Sequence, residues 1–144
     1  MYQTIGKVAT VMKKTTFKIS SSVQEMENII IKRMGIPRTV FHRWAIEYYL
    51  KYDRTIHPNL RIKTKKDPEY VIRDATEQIY LDEKNEEALL DIAEKYYGKR
   101  KNIGTVLFQA MLTYCTVQAP IVLGETAVRQ MIGYEEKLED KIWS

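Results

Sequence analysis

The chain has 144 residues, 44% hydrophobic and 29% charged, with a net charge of +4; this is a globular composition and excludes a disordered or collagen-like polymer. Its single cysteine, Cys115, excludes an internal disulfide and fits a reducing compartment. No apolar run approaches the ~20 residues of a membrane span, and Met1-Tyr2-Gln3-Thr4 lacks a secretory pattern, so a cytoplasmic protein without a membrane partner is expected.

The charges are unevenly placed. Residues 1–66 hold 14 Lys/Arg against 4 Asp/Glu, a net of +10, whereas residues 67–144 hold 9 against 15, a net of −6. A strongly basic half points to a polyanion, because Lys and Arg that neutralise phosphates release condensed counterions.

In chain order, residues 1–14 read as an N-terminal arm, with Ile5, Val8 and Val11 among polar residues. Residues 15–52 read as strand, helix, turn and helix. Phe17 and Ile19 alternate with Thr16, Lys18 and Ser20, the pattern of a half-buried strand. Ser22-Val23-Gln24-Glu25 has capping-box spacing for a helix that carries Val23, Met26 and Ile30 and stops at Gly35. Pro37 opens a second helix to about Tyr52, with Phe41, Ala45, Tyr48 and Tyr49 on one side. Residues 53–76 form a connector, with a short strand expected at Leu60-Arg61-Ile62-Lys63 and a helical turn between Pro68 and Ala75.

The same order then recurs over residues 77–118. Ile79 and Leu81 alternate with Gln78, Tyr80 and Asp82; a helix from Lys84 to Tyr97 carries Ala88, Leu89, Ile92 and Tyr96 and stops at Gly98. Asn102 is the expected N-cap of a second helix bearing Val106, Leu107, Ala110, Met111 and Tyr114 and ending before Pro120. Aligning Ala45 with Ala110 superposes Phe41 on Val106 and Tyr49 on Tyr114, so one unit is used twice about 65 residues apart. Residues 119–144 read as a C-terminal tail helix.

One strand followed by two helices cannot cover its own apolar face, but two such units can pair strands and pack four helices beneath them. The expected fold is mainly α with a short two-stranded antiparallel β-ribbon, the two units forming an intrachain pseudo-dimer. The ribbon's polar face, Thr16, Lys18 and Ser20 with Gln78, Tyr80 and Asp82, is then left outside, and a two-stranded ribbon fits the major groove of B-form DNA.

Thr16-Phe17-Lys18-Ile19-Ser20, a helix, and then Gly35-Ile36-Pro37-Arg38-Thr39-Val40-Phe41 through Leu50 resemble the ribbon-helix-helix repressors of the MetJ/Arc type; Ile79 to Cys115 resembles them more weakly. The resemblance implies base reading by Thr16, Lys18, Ser20, Gln78 and Tyr80. It also implies a phosphate grip at the start of the second helix, by Arg38 and Thr39 in the first unit. Asn102 with Lys99, Arg100 and Lys101 is the corresponding place in the second unit. Asp82 and Glu83 depart from the pattern, since a carboxylate facing DNA is unfavourable unless a cytosine amino group donates to it; readout should lean on the first unit.

Nothing assembles an active site, and no cofactor or metal is expected: His42 and His57 lack ligand spacing, with His42 read as a surface or phosphate-proximal side chain, and Cys115 lies in an apolar stripe. The expected partner is double-stranded DNA, and the expected role is that of a transcriptional repressor. The alternatives are an accessory protein of the relaxosome at a plasmid transfer origin and a toxin-neutralising interaction module. Val40, Trp44 and Tyr48 form a further stripe. It fits either core beneath the C-terminal helix or a surface for self-association or a protein partner.

Overall fold

The computed structural model describes residues 11–124. Alternating residue type produces two strands, β1 (Met12–Ile19) and β2 (Ala75–Asp82), which pair antiparallel as a two-stranded sheet. Phe17 and Ile19 of β1 and Ile79 and Leu81 of β2 are buried on one side. In register, Thr16 faces Gln78, Lys14 faces Tyr80 and Lys18 faces Thr76. The strand starts at Met12, so Met12 to Lys14 of the expected arm belong to the ribbon; the rest of the arm up to residue 10, and the tail helix from residue 125, lie outside the described residues.

Four helices follow the strands in pairs: α1 (Ser21–Met34) and α2 (Arg38–Tyr52) after β1, α3 (Glu83–Tyr97) and α4 (Ile103–Val122) after β2. The residue that follows β1 and the residue that ends β2 each cap the helix after them. Ser20 accepts a hydrogen bond from the Val23 N–H at 3.2 Å, and Asp82 accepts one from the Asn85 N–H at 2.7 Å. The cap of α1 is therefore Ser20 rather than Ser22, because the strand hands over directly to the helix with no loop between. Gly35 ends α1 in the left-handed conformation (φ 67°) that a Cβ would disfavour.

The elements cross over as they pack. α2 lies against β2, and α4 lies against β1 as well as against α1, α2 and α3. Phe41 of α2 and Tyr114 of α4 meet with ring centroids 5.3 Å apart. Among the described residues α4 is the most apolar helix, with a mean hydropathy of 1.3 over its most apolar stretch and 67% of that stretch buried in the fold. It forms the centre of the core. Pro120 lies inside α4 instead of ending it: in the last turn a proline removes one donor only, and the Leu123 N–H still reaches the Ala119 carbonyl at 3.1 Å.

The connector departs from expectation in two places. Pro58–Arg61 is a turn of 3-10 helix, not a strand, with Leu60 turned into the core. Between Pro68 and Ala75 there is no helical turn; the Tyr70 N–H to Asp67 carbonyl bond closes a turn over Pro68 and Glu69, and the Asp67 N–H to Thr64 carbonyl bond closes another just before it, both at 3.0 Å. Gln109, fully buried on α4, fixes this segment by accepting from the His57 N–H at 2.7 Å and from the Tyr97 hydroxyl, while its amide donates to Tyr49.

Candidate nucleic-acid interface

Lys14, Thr16 and Lys18 from β1, with Thr76, Gln78 and Tyr80 from β2, are all exposed on the outer face of the ribbon. The two ammonium groups flank Thr16 along β1, on either side of the central Thr16–Gln78 pair, each opposite a hydroxyl-bearing residue of β2. No carboxylate lies among these six. Four of the five expected base readers thus share one bare face: Thr16, Lys18, Gln78 and Tyr80. Ser20 does not. It is 7% exposed, and its hydroxyl is spent on the cap of α1. Asp82 is explained in the same way: its carboxylate caps α3 by accepting from the Asn85 N–H.

Two helix starts flank the ribbon. His42, one turn into α2, reaches Glu77 of β2, and Gly104, at the start of α4, lies against Phe17 of β1 so closely that a Cβ there would sit 3.4 Å from the Phe17 Cβ. Phe17 and Glu77 are themselves register partners, so both starts meet the ribbon near its middle. Thr39 is exposed in the first turn of α2. The Arg38 side chain turns inward instead: its guanidinium donates to Glu27 at 3.3 Å and to Asn28, and lies 3.7 Å from Glu77.

The second basic turn is divided. Lys99 and Lys101 are exposed, whereas Arg100 folds back on three acids of α3, with 2.8 Å to Asp91, 3.5 Å to Glu94 and a further pair to Glu87. Asn102 stands at the N-cap position of α4, yet its amide donates to the Tyr97 carbonyl at 2.6 Å and so closes the end of α3.

Beneath the ribbon lies a polar cluster that residue type alone did not reveal. Glu27 (0% exposed), His42 (2%) and Glu77 (5%) come together from α1, α2 and β2. His42 Nε2 is 2.9 Å from Glu77 Oε1, and the Gln24 amide donates to Glu77 Oε2 at 3.3 Å. His42 is therefore a core side chain, contrary to the surface or phosphate-proximal position expected for it. One ligand atom from each of Glu27, His42 and Glu77 lies within 4.8 Å of the others; the residue types suit a metal, and the Arg38 guanidinium already stands beside both carboxyl groups. The signal for the cluster was positional. Glu77 has the same strand parity as Ile79 and Leu81, and Glu27 falls four residues after Val23 and three before Ile30.

The two carboxyl groups are driven apart. Burial, reinforced by the neighbouring Glu77 carboxylate, pushes the Glu27 carboxyl well above the ordinary range. Burial also acts upward on Glu77, but hydrogen bonds from His42 and Glu27 and the charge of Arg38 outweigh it and hold Glu77 down to about 2. The environment thus favours the neutral form of Glu27 and the ionised form of Glu77. For a raised carboxyl, stability is complete below the ordinary carboxyl value and is lost as pH rises through the folded-state value. Glu27→Gln keeps a neutral donor at every pH. Relative to the parent it should gain about 1.5–3 kcal/mol on going from pH 5 to alkaline pH, the range of a hydrogen bond to a charged group. Urea denaturation of both proteins across that range measures this; parallel pH curves would refute the raised Glu27 carboxyl.

Of the further stripe on α2, Tyr48 packs between Tyr52 and Tyr114 with ring centroids at 5.4 and 5.8 Å, and Val40 is half-buried. Trp44 is 36% exposed. Cys115 is buried in α4, as its apolar stripe requires.

Comparison of the chain with protein families, with curated proteins and with solved structures finds no match.

Proposed function

We propose that this protein binds double-stranded DNA sequence-specifically by laying the β1–β2 ribbon in the major groove, as a ribbon-helix-helix reader of the MetJ/Arc type, and that it acts as a transcriptional repressor rather than an enzyme. The observation that carries the reading is the outer ribbon face: six exposed residues, two of them Lys and none acidic, on two strands whose other side is buried. Hydroxyl, amide and ammonium groups suit the donor and acceptor edges that base pairs present there.

The tandem arrangement is supported by correspondence between the halves. Shifting β1 by 62 positions carries Thr16 onto Gln78, Lys18 onto Tyr80 and the cap Ser20 onto the cap Asp82. Thr16 and Gln78 are direct partners in the ladder. A pseudo-twofold axis through that pair exchanges the two strands, and with them α2 on β2 for α4 on β1. The chain acts as its own dimer. Since Lys18 corresponds to Tyr80, the two half-sites read differently and the operator need not be a palindrome. Phosphate contacts fall to the start of α2 at Thr39 and to Lys99 and Lys101, with Arg38 and Arg100 held by carboxylates.

Selection from random duplexes followed by footprinting tests the reading. A single protected site of one or two turns is expected, with affinity falling steeply as salt rises. On that site Lys18→Ala should cost ~1–3 kcal/mol of discrimination at one base position while leaving the fold intact. Unchanged binding by Lys18→Ala would exclude ribbon readout.

A further inference from the structure

A cavity of about 620 Å³ opens between the connector, the end of α3 and the start of α4. Among the described residues its walls carry four cations, Arg61, Lys63, Arg73 and Lys95, beside Tyr70 and Tyr96, and no carboxylate. Arg73 is the most constrained of these. Its guanidinium donates to Thr105 Oγ1 at 3.1 Å and to the Leu60 carbonyl at 2.6 Å, and lies 5.9 Å from the Phe108 ring centroid. Its Nε is buried with no hydrogen-bond partner, and among the described residues no acid pairs with it. Burial accordingly presses its pKa downward. A desolvated guanidinium without a counter-charge is costly, and an anion seated in the cavity would relieve that cost.

We propose that this cavity is a binding site for a small organic anion bearing a planar ring, the carboxylate or phosphate held by Arg73, Lys63 and Lys95 and the ring laid against the tyrosines. The volume suits such a ligand, and the faces of tyrosine and guanidinium groups stack with planar rings. An occupant would bridge the connector to the start of α4, the element that meets β1. The site itself does not depend on the DNA reading.

The test uses benzoate, indole-3-acetate and adenosine 5′-monophosphate, each against its neutral counterpart (benzamide, indole-3-acetamide and adenosine), titrated into the full chain by calorimetry and by amide NMR. At least one anion should bind below about 1 mM, tenfold or more tighter than its neutral partner, with shifts at the Arg73 and Gly98 amides. Lys63→Ala/Lys95→Ala, both exposed and therefore safe for folding, should weaken binding at least tenfold. Arg73→Met should abolish it. Equal binding of neutral and charged members, shifts elsewhere on the protein, or no binding by any anion overturns the proposal. So does a Lys63→Ala/Lys95→Ala protein that loses DNA affinity but keeps the small anion, which would make this surface a backbone-phosphate contact.

Discussion

Glu77→Ala should destabilise the fold by about 3–5 kcal/mol at pH 7, the usual cost of removing one partner from a buried charged network. Glu77 is the shared acceptor of the cluster: His42 and Gln24 hydrogen-bond to it, Glu27 lies beside it, and Arg38 lies within 3.7 Å. Without it the buried imidazole loses its acceptor and Arg38 keeps only Glu27, which must then ionise inside the core. The pH dependence has a fixed sign. A carboxyl held down to about 2 contributes stability that is present above its ordinary unfolded value and is lost as pH falls through the folded one. The deficit of Glu77→Ala should therefore shrink between about pH 4.5 and pH 2, over the range set by ordinary carboxyl titration. Urea melts of both proteins at pH 7 and pH 3 measure it. A deficit below 1 kcal/mol at pH 7 would mean that the cluster tolerates its burial without Glu77. Glu77→Gln, which keeps the size and an acceptor oxygen, should cost clearly less than Glu77→Ala.

The second large effect is expected at Phe17→Ala, about 3–5 kcal/mol, the range for deleting a buried aromatic side chain. Phe17 is 3% exposed, meets the His42 ring edge-on at 6.5 Å, and touches the start of α4 at Gly104. The hole left behind lies between a strand held by its ladder and a helix packed against α1, α2 and α3. Neither wall can move in to fill it. Thr16→Ala, one residue away on the bare face, should stay within about 0.5 kcal/mol of the parent. Thermal denaturation of the two variants side by side separates the faces of the strand; similar losses from both would contradict the orientation of β1.

Periodicity made most of the architecture legible. Phe17 and Ile19, then Ile79 and Leu81, alternate as a half-buried ribbon must, and the glycines at 35 and 98 stop helices where the structure stops them. What escaped were residues whose chemical type argued against their position. Glu27 and Glu77 occupy core positions by spacing, but a carboxylate there reads as surface until His42 and Arg38 arrive from elsewhere in the chain. Arg100 failed in the opposite sense. A basic turn reads as a phosphate grip, yet Glu87, Asp91 and Glu94 recur at helical spacing along α3, and the turn at Gly98 brings Arg100 back over them. Ser20 shows the limit of strand parity. By parity it continues the outward positions of β1, but the strand ends at Ile19, and with a helix starting at once the Ser20 hydroxyl is drawn to the helix's first N–H groups.

Both partners of the β1–β2 ladder belong to one polypeptide. Separate subunits present at nanomolar abundance would have to attract one another by about 12 kcal/mol to remain together. Tethered strands instead meet at an effective concentration on the order of millimolar. A cell holding only a handful of such molecules would still hold each one assembled, with no encounter required.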